Sequence, residues 1–162
     1  MNIRLCCPED TEKWIVLNKE FMIYEISDED LWDHAGKVPD SVFEYVFNDA
    51  LKNPDLITMF IFEEDGESIG FASIMTIYSI WAHGKSILLD DLFITESYRG
   101  MGHGKTAMKY IEDYARKKGY KRLEFLSKPS NEGSKMFYKA LGYKCNDYYF
   151  YVKYLDTDSE SF

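Results

Sequence analysis

Three glycines in five residues, Gly100, Gly102 and Gly104, stand between an apolar run and a run with helical spacing, with Arg99 and Lys105 at the two ends of the group. Glycine lets the backbone turn through conformations closed to other residues. The first N–H groups of a helix have no acceptor inside it, and the helix dipole adds positive potential there. The stretch Arg99-Gly100-Met101-Gly102-His103-Gly104-Lys105 can therefore hold an anion with backbone alone, and its two cations suit a pyrophosphate. A tight turn packing a helix against a sheet is the competing role. Spacing excludes two other phosphate loops. The nucleoside-triphosphate pattern G-x-x-x-x-G-K-[ST] fails because Gly100 to Gly104 is one residue short, and the dinucleotide pattern G-x-G-x-x-G fails because the spacing here is G-x-G-x-G.

A second group with chemical capacity is Asp90-Asp91, two adjacent carboxylates inside the otherwise apolar run 86–94. Burial beside a like charge raises a carboxyl pKa toward the range useful for a general base. Strand neighbours face opposite sides, so one of the two is expected to look into a substrate cleft. Pairing with a lysine, or capping a loop, is the alternative. His34, His83 and His103 are far apart and have no ligand spacing, so no metal site is expected.

The elements that must position these groups follow from period and punctuation. Residues 2–7 form a short first strand, and Pro8 suits the opening turn of a helix with Trp14, Ile15, Leu17, Phe21, Met22 and Tyr24 on its apolar side. Ser27 before Asp28, Glu29 and Asp30 signals a second short helix carrying Leu31 and Trp32, and residues 42–51 form a third helical piece. Residues 56–62 and 69–80 are strands joined by a hairpin at Asp65-Gly66. Residues 86–94 form a strand apolar on both faces apart from the aspartates, which predicts a central position. After the glycine loop, residues 106–118 are a helix stopped by Gly119; 122–127 a strand; 131–141 a helix closed by Gly142; and 143–155 a long final strand. Strand, loop, helix and strand from residue 86 to 127 make a βαβ unit with parallel strands.

Bulk composition narrows the class. With 162 residues, 46% hydrophobic and 17% aromatic, residues 1–155 are expected to fold as a single domain, with 156–162 an acidic tail. No run reaches the roughly 18 to 20 apolar residues of a membrane helix, and residues 1–20 lack the blocks of a secretory signal. Cys6, Cys7 and Cys145 show no C-x-x-C spacing. A cytoplasmic protein with no membrane partner is the expectation. The net charge of −9 argues against a nucleic-acid partner and favours cationic ones.

The segment Arg99-Gly100-Met101-Gly102-His103-Gly104 resembles the Q/R-x-x-G-x-G/A motif of the Gcn5-related N-acetyltransferase (GNAT) superfamily. Leu92-Phe93-Ile94 precedes it at the family's distance, and Asn131, Ser134, Tyr138 and Leu141-Gly142-Tyr143 resemble the family's second signature. The likeness covers residues 69–155 well and the first half only in its order of elements. It departs at Glu96, where proline is common, and at Ser134, where alanine is usual. It implies an α/β fold (α+β in some schemes): a twisted mixed sheet of six to seven strands with about four helices on both faces. It implies acetyl-coenzyme A as co-substrate, held by Leu92, Phe93, Ile94, residues 99–105 and Asn131. Backbone groups of Leu92 and Ile94 would pair with pantetheine, and Tyr138 would sit near the sulfur. A tyrosine hydroxyl with pKa about 10 stays protonated at neutral pH and can donate to the departing thiolate.

Within the superfamily, Leu89-Asp90-Asp91-Leu92-Phe93 looks most like the acidic strand of polyamine or diamine acetyltransferases. By that resemblance Asp90 supports deprotonation and Asp91 helps hold the cation. The segment 24–32 would then cover the cleft, with Tyr24, Glu25, Asp28 and Trp32 as acceptor-side residues. The expected activity is acetyl transfer to a primary amine of a small cationic acceptor, by direct attack in a ternary complex. The alternatives are a protein or peptide N-acetyltransferase and a non-catalytic acyl-coenzyme A sensor. The aromatic last strand, with Tyr148, Tyr149, Phe150, Tyr151 and Tyr154, could serve a homodimer interface or a core.

Overall fold

The computed structural model describes residues 1–25 and 37–153. Contacts divide the chain at Phe125/Leu126 into two compact units. The expected helix carrying Leu31 and Trp32, the acceptor-side residues Asp28 and Trp32, and the acidic tail lie outside the described residues.

The first unit is a five-stranded sheet in the order β1-β2-β3-β4-β5, with β1 Asn2–Leu5, β2 Ile57–Glu64, β3 Glu67–Ser79, β4 Gly84–Ile94 and β5 Arg122–Glu124. The first four strands pair antiparallel, and β4 and β5 run parallel as the βαβ pattern predicts. The β2–β3 hairpin turns at Asp65 and Gly66, whose φ values of 50° and 87° are the left-handed pair that a tight hairpin demands.

Among the described residues three α-helices belong to this unit: α1 Thr11–Glu25, entered through a 3-10 turn at Pro8–Asp10; α2 Asp40–Lys52; and α3 His103–Lys117. Their faces can be assigned by register. Met59 and Ile61 pair with Ser73 and Phe71, and these with Asp91 and Phe93. On that face Trp14 and Phe21 of α1 pack on Phe71, Phe21 on Phe93, and Trp14 on Phe47 of α2. The alternate residues face the other way, where Phe60 meets Tyr110 and Tyr114 of α3 edge to face. Ala107, Met108, Ile111 and Ala115 give α3 its buried stripe, and Gly119 at φ 76° ends it.

The second unit contributes α4 Glu132–Ala140, closed by Gly142 at φ 90°. Of the long final strand expected at 143–155, the described residues 143–153 carry no ladder, and the sheet has five strands among the described residues instead of six or seven. β5 is likewise three residues long instead of six. The composition of 148–151 favours strand, but four aromatics in a row give no inside–outside alternation, and Tyr148, Tyr149, Phe150 and Tyr151 are all exposed. β-propensity expresses packing on a pleated surface, and without a neighbour it fixes nothing.

Candidate active site

The glycine loop turns where the sequence says it must. Gly100 and Gly102 lie at φ 77° and 87°, with nothing within 4 Å of where a Cβ would stand, so the requirement is conformational and not one of space. Gly102 caps α3 from the left-handed region with no side-chain acceptor. The helix starts at His103, three residues before the expected start, so Gly104 and Lys105 sit in its first turn. The first intrahelical bond runs from the Thr106 N–H to the Gly102 carbonyl at 3.1 Å. That geometry leaves the N–H groups of His103, Gly104 and Lys105 without an intrahelical acceptor, at the positive end of a 15-residue helix. The Lys105 and Met101 side chains are exposed, and the half-buried His103 ring lies 6.1 Å from that of Tyr98.

β4 leads into this loop with one edge partly open. Its ladder with β5 covers only Ser86, Ile87 and Leu88. The Thr95 N–H donates to the Ile69 carbonyl at 2.9 Å, which fixes the antiparallel alternation: Asp91 and Phe93 turn their backbone groups toward β3, while Leu92 and Ile94 turn theirs to the opposite edge. A linear chain carrying amides could pair with the Leu92 groups and the Ile94 N–H as a strand would, the Ile94 carbonyl already accepting from Arg99, and the same edge ends at the anion site. The residues fit coenzyme A on both counts.

Arg99 occupies an unexpected position for a phosphate-flanking cation. Its Nε donates to the Ile94 carbonyl at 2.8 Å, and its guanidinium stacks 4.4 Å from the centroid of Tyr24 and 5.5 Å from that of Phe93. The aromatic face of Tyr24, expected to meet a substrate cation, is thus covered by a cation of the chain itself.

The two aspartates are arranged by a bulge. The β3–β4 register shifts between Ser73 and Ile74: Ser73 pairs with Asp91 and Ile74 with Leu89, which leaves Asp90 as an extra residue. Leu89 is on the α3 face and Asp91, two residues on, is on the α1 face. Asp90 continues the row of Leu88, so both carboxylates belong to the α1 side. Opposite-facing neighbours, expected of a regular strand, are thereby corrected. Asp91 is pushed up to about 6, first by burial and then by the charges of Asp90 and Glu25, against a lowering hydrogen bond from the Ser73 hydroxyl to Oδ2. Partial desolvation also raises Asp90, although its residue surface is exposed. Glu25 is the last residue of α1, where the helix dipole adds negative potential. Three sequence-predicted carboxylates therefore gather on one face of the first unit.

In the second unit, Asn131 caps α4: its Oδ1 accepts the Ser134 N–H at 2.9 Å. Tyr138 is half-buried on the same helix, with ring centroids of Phe137 and Tyr143 at 5.0 and 6.0 Å. Each signature residue has a local structural role that accounts for part of the motif.

Sequence reasoning did not single out Ser73 or the Arg99–Tyr24 stack. Ser73 is a small hydroxyl in an apolar strand, facing a position that only the register reveals. Among the described residues no cluster of three His, Cys, Asp or Glu side chains could hold a metal ion, and no helix is long and apolar enough to cross a membrane.

Residues 22–143, about three quarters of the chain, match the model of the Acetyltransferase (GNAT) family. An uncharacterized N-acetyltransferase, YhfO, of Bacillus subtilis (strain 168) is 30% identical over 94 residues, covering 58% of this chain and 62% of that protein. The thialysine N-epsilon-acetyltransferase of Bos taurus is 32% identical over 74 residues, covering 46% of this chain and 43% of that protein. The match thus spans about half the length of these curated relatives. Among solved structures, a possible acetyltransferase from Clostridium difficile 630 superposes with a TM-score of 0.78 at 15% identity, covering 96% of this chain and 97% of that one. The aminoglycoside N-acetyltransferase AAC(6')-Iy in complex with CoA gives 0.75 at 22%, covering 96% and 95%. These last two likenesses are of fold.

Proposed function

The chain belongs to the acetyltransferase (GNAT) family, and from that premise we propose that it transfers the acetyl group of acetyl-coenzyme A to a primary amine of a small cationic acceptor, by direct attack within a ternary complex. The observation that carries the acceptor class is the convergence of Glu25, Asp90 and Asp91 on one face at the negative end of α1. A gathering of like-charged carboxylates on one face favours a positively charged ligand. Thialysine and aminoglycosides, named in the relatives, are amines of that kind.

Each group then has a task. The N–H groups of His103, Gly104 and Lys105 bind the pyrophosphate, with Gly100, Met101 and Gly102 shaping the turn and Arg99 bracing it. The edge groups of Leu92 and Ile94, around Phe93, hold pantetheine, and Asn131 contributes its carboxamide nitrogen. Asp91 accepts a proton from the incoming ammonium, because an amine with pKa near 10 costs roughly 4 kcal/mol to deprotonate at pH 7. Asp90 and Glu25 hold the cation. Tyr138 donates its hydroxyl proton to the leaving thiolate and is reprotonated by the second proton, which the nitrogen sheds on becoming an amide. The acetyl carbonyl gains the amine nitrogen and loses the sulfur, so no acyl-enzyme is required and none of the three cysteines is used.

The test is a free-thiol assay with acetyl-coenzyme A against spermidine, aminoglycosides, amino acids and peptides, alongside melting with and without the cofactor. Thiol release with small polycations and a cofactor-dependent rise in Tm are expected. Release with peptides alone would favour a protein-modifying enzyme. A Tm shift without turnover on any amine would favour a sensor, and neither shift nor turnover would sink the reading.

A further inference from the structure

Ser73 is 2% exposed, on the central strand β3, directly across the ladder from Asp91 at the point where the register slips. Its hydroxyl donates to Asp91 Oδ2. Asp90, the extra residue of the bulge, has no ladder partner. A bulge that re-aims a carboxylate is useful only if the carboxylate is then held, because the ladder around it is weakened. We propose that Ser73 is a positioning residue for Asp91: its hydroxyl anchors one carboxylate oxygen across the bulge and so selects Asp91, and not Asp90, as the group that takes the proton of the substrate amine. This rests on the function proposed above.

The chemistry is balanced within the site. With Oδ2 held by Ser73, Oδ1 is the oxygen that receives the ammonium proton, and the amine nitrogen keeps the lone pair that attacks the acetyl carbonyl. The groups that act on Asp91 come from three elements: Ser73 from β3, Asp90 from β4 and Glu25 from the end of α1, while Arg99 stacks on Phe93 and Tyr24. Burial, Asp90 and Glu25 all favour the protonated acid, and Ser73 is the described group that opposes them. A serine that merely filled space would leave this balance untouched.

The experiment is the pH dependence of kcat/KM for the wild type and the Ser73→Ala, Ser73→Cys, Asp90→Asn and Glu25→Gln variants. In the wild type an acid limb near pH 6 is expected from Asp91, well separated from the limb of the amine near pH 10. Loss of a hydrogen bond to a charged group should move the Ser73→Ala limb upward by about one pH unit, with rate recovered above it. The weaker thiol donor of Ser73→Cys should give an intermediate shift. Asp90→Asn and Glu25→Gln each remove a like charge and should move the limb downward. Opposite movements support the proposal. A Ser73→Ala limb that stays in place, or moves the same way as that of Asp90→Asn, overturns it while acetyl transfer itself stands. If Ser73→Ala does not fold, Ser73→Cys and Asp90→Asn carry the same contrast. A wild type that transfers acetyl groups with no acid limb, and an Asp91→Asn variant as fast as wild type, would remove Asp91 as base and the proposal with it.

Discussion

Two carboxylates adjoin α1, one at its start and one near its end, and they are treated in opposite ways. Asp10 is 2% exposed and is gripped by Arg4, with Nη1 to Oδ2 at 2.6 Å and Nη2 to Oδ1 at 2.7 Å, while the Cys7 N–H donates to Oδ2 at 2.9 Å. The same guanidinium reaches Glu63 of β2 at 2.7 Å, so one cation ties the first strand, the entry turn of α1 and the second strand together. Arg4 holds the Asp10 carboxyl well below the usual carboxylate range. Asp91 has a serine, two further carboxylates and burial instead, and is pushed up to about 6. The same residue type serves stability where its charge is matched. Where it is not, its protons become available near neutral pH, as a base requires.

Asp91→Asn breaks the contrast most severely. Loss of a positioned base costs about 10²–10⁴-fold in rate, and kcat/KM should fall by that order while acetyl-coenzyme A still raises the Tm. Stability should move the other way. The folded-state pKa is raised, so wild-type stability from this site is fully present below about pH 4 and is lost as the pH rises through about 6. Above pH 6 the asparagine variant should therefore be more stable than the wild type, by up to about 3 kcal/mol, since one pKa unit is about 1.36 kcal/mol. Denaturant melts at pH 4 and pH 8 check the sign. Equal stability of the two proteins at both pH values would mean that the ionised Asp91 carries no penalty.

Arg4→Ala probes the matched side and should leave the chemistry alone. It strands Asp10 without its cation, and breaking a buried pair typically costs 3–5 kcal/mol. Arg4 is itself one-third exposed, so about 2–3 kcal/mol is expected here. Wild-type Asp10 and Glu63 both have lowered pKa values, so they stabilise the fold above the ordinary carboxylate range and lose that stability as the pH falls below it, through their lowered folded-state values. The variant should show a flatter acid side in its stability profile, with kcat/KM per folded molecule unchanged. A kinetic defect larger than the loss of folded protein would place Arg4 in the catalytic balance and blur the comparison.

The matched and unmatched sites were not equally legible in the sequence. Asp90-Asp91 stood out because two charges interrupt an apolar strand, and the glycine loop because its spacing admits few geometries. The hairpin at Asp65-Gly66 and the stop at Gly119 were readable because left-handed backbone needs particular residues there. What the sequence concealed depends on pairing. The bulge at Asp90 exists only relative to β3, so the facing of both aspartates and the role of Ser73 followed from register and not from alternation along β4. α3 starts three residues before its apolar pattern because Gly102 caps it through backbone conformation, with none of the side-chain oxygens that mark a helix start. The final strand is suggested by the strand-favouring composition of Tyr148 to Tyr151, but no ladder forms there, and a strand is defined by the hydrogen bonds it shares with a second one.

The smallest expected effect concerns Arg99, which does not act on Asp91. Arg99 stacks over Phe93 on the same face, but its Nε is committed to the Ile94 carbonyl and its plane to the ring of Tyr24. Tyr24 is 52% exposed, so the stack is worth about 0.5–1 kcal/mol, the range for solvated cation–π pairs. Tyr24→Leu keeps helical propensity and removes the ring, which frees the guanidinium to lean toward the carboxylates. The expected result is a small downward shift of the Asp91 limb, together with a two- to fivefold rise in acceptor KM, since 0.5–1 kcal/mol corresponds to that ratio. Tyr24→Phe retains the ring and should match the wild type in both. A Tyr24→Leu enzyme with raised cofactor KM and unmoved acceptor KM would show instead that the stack serves the glycine loop, and that Asp91 is kept unmatched by distance alone.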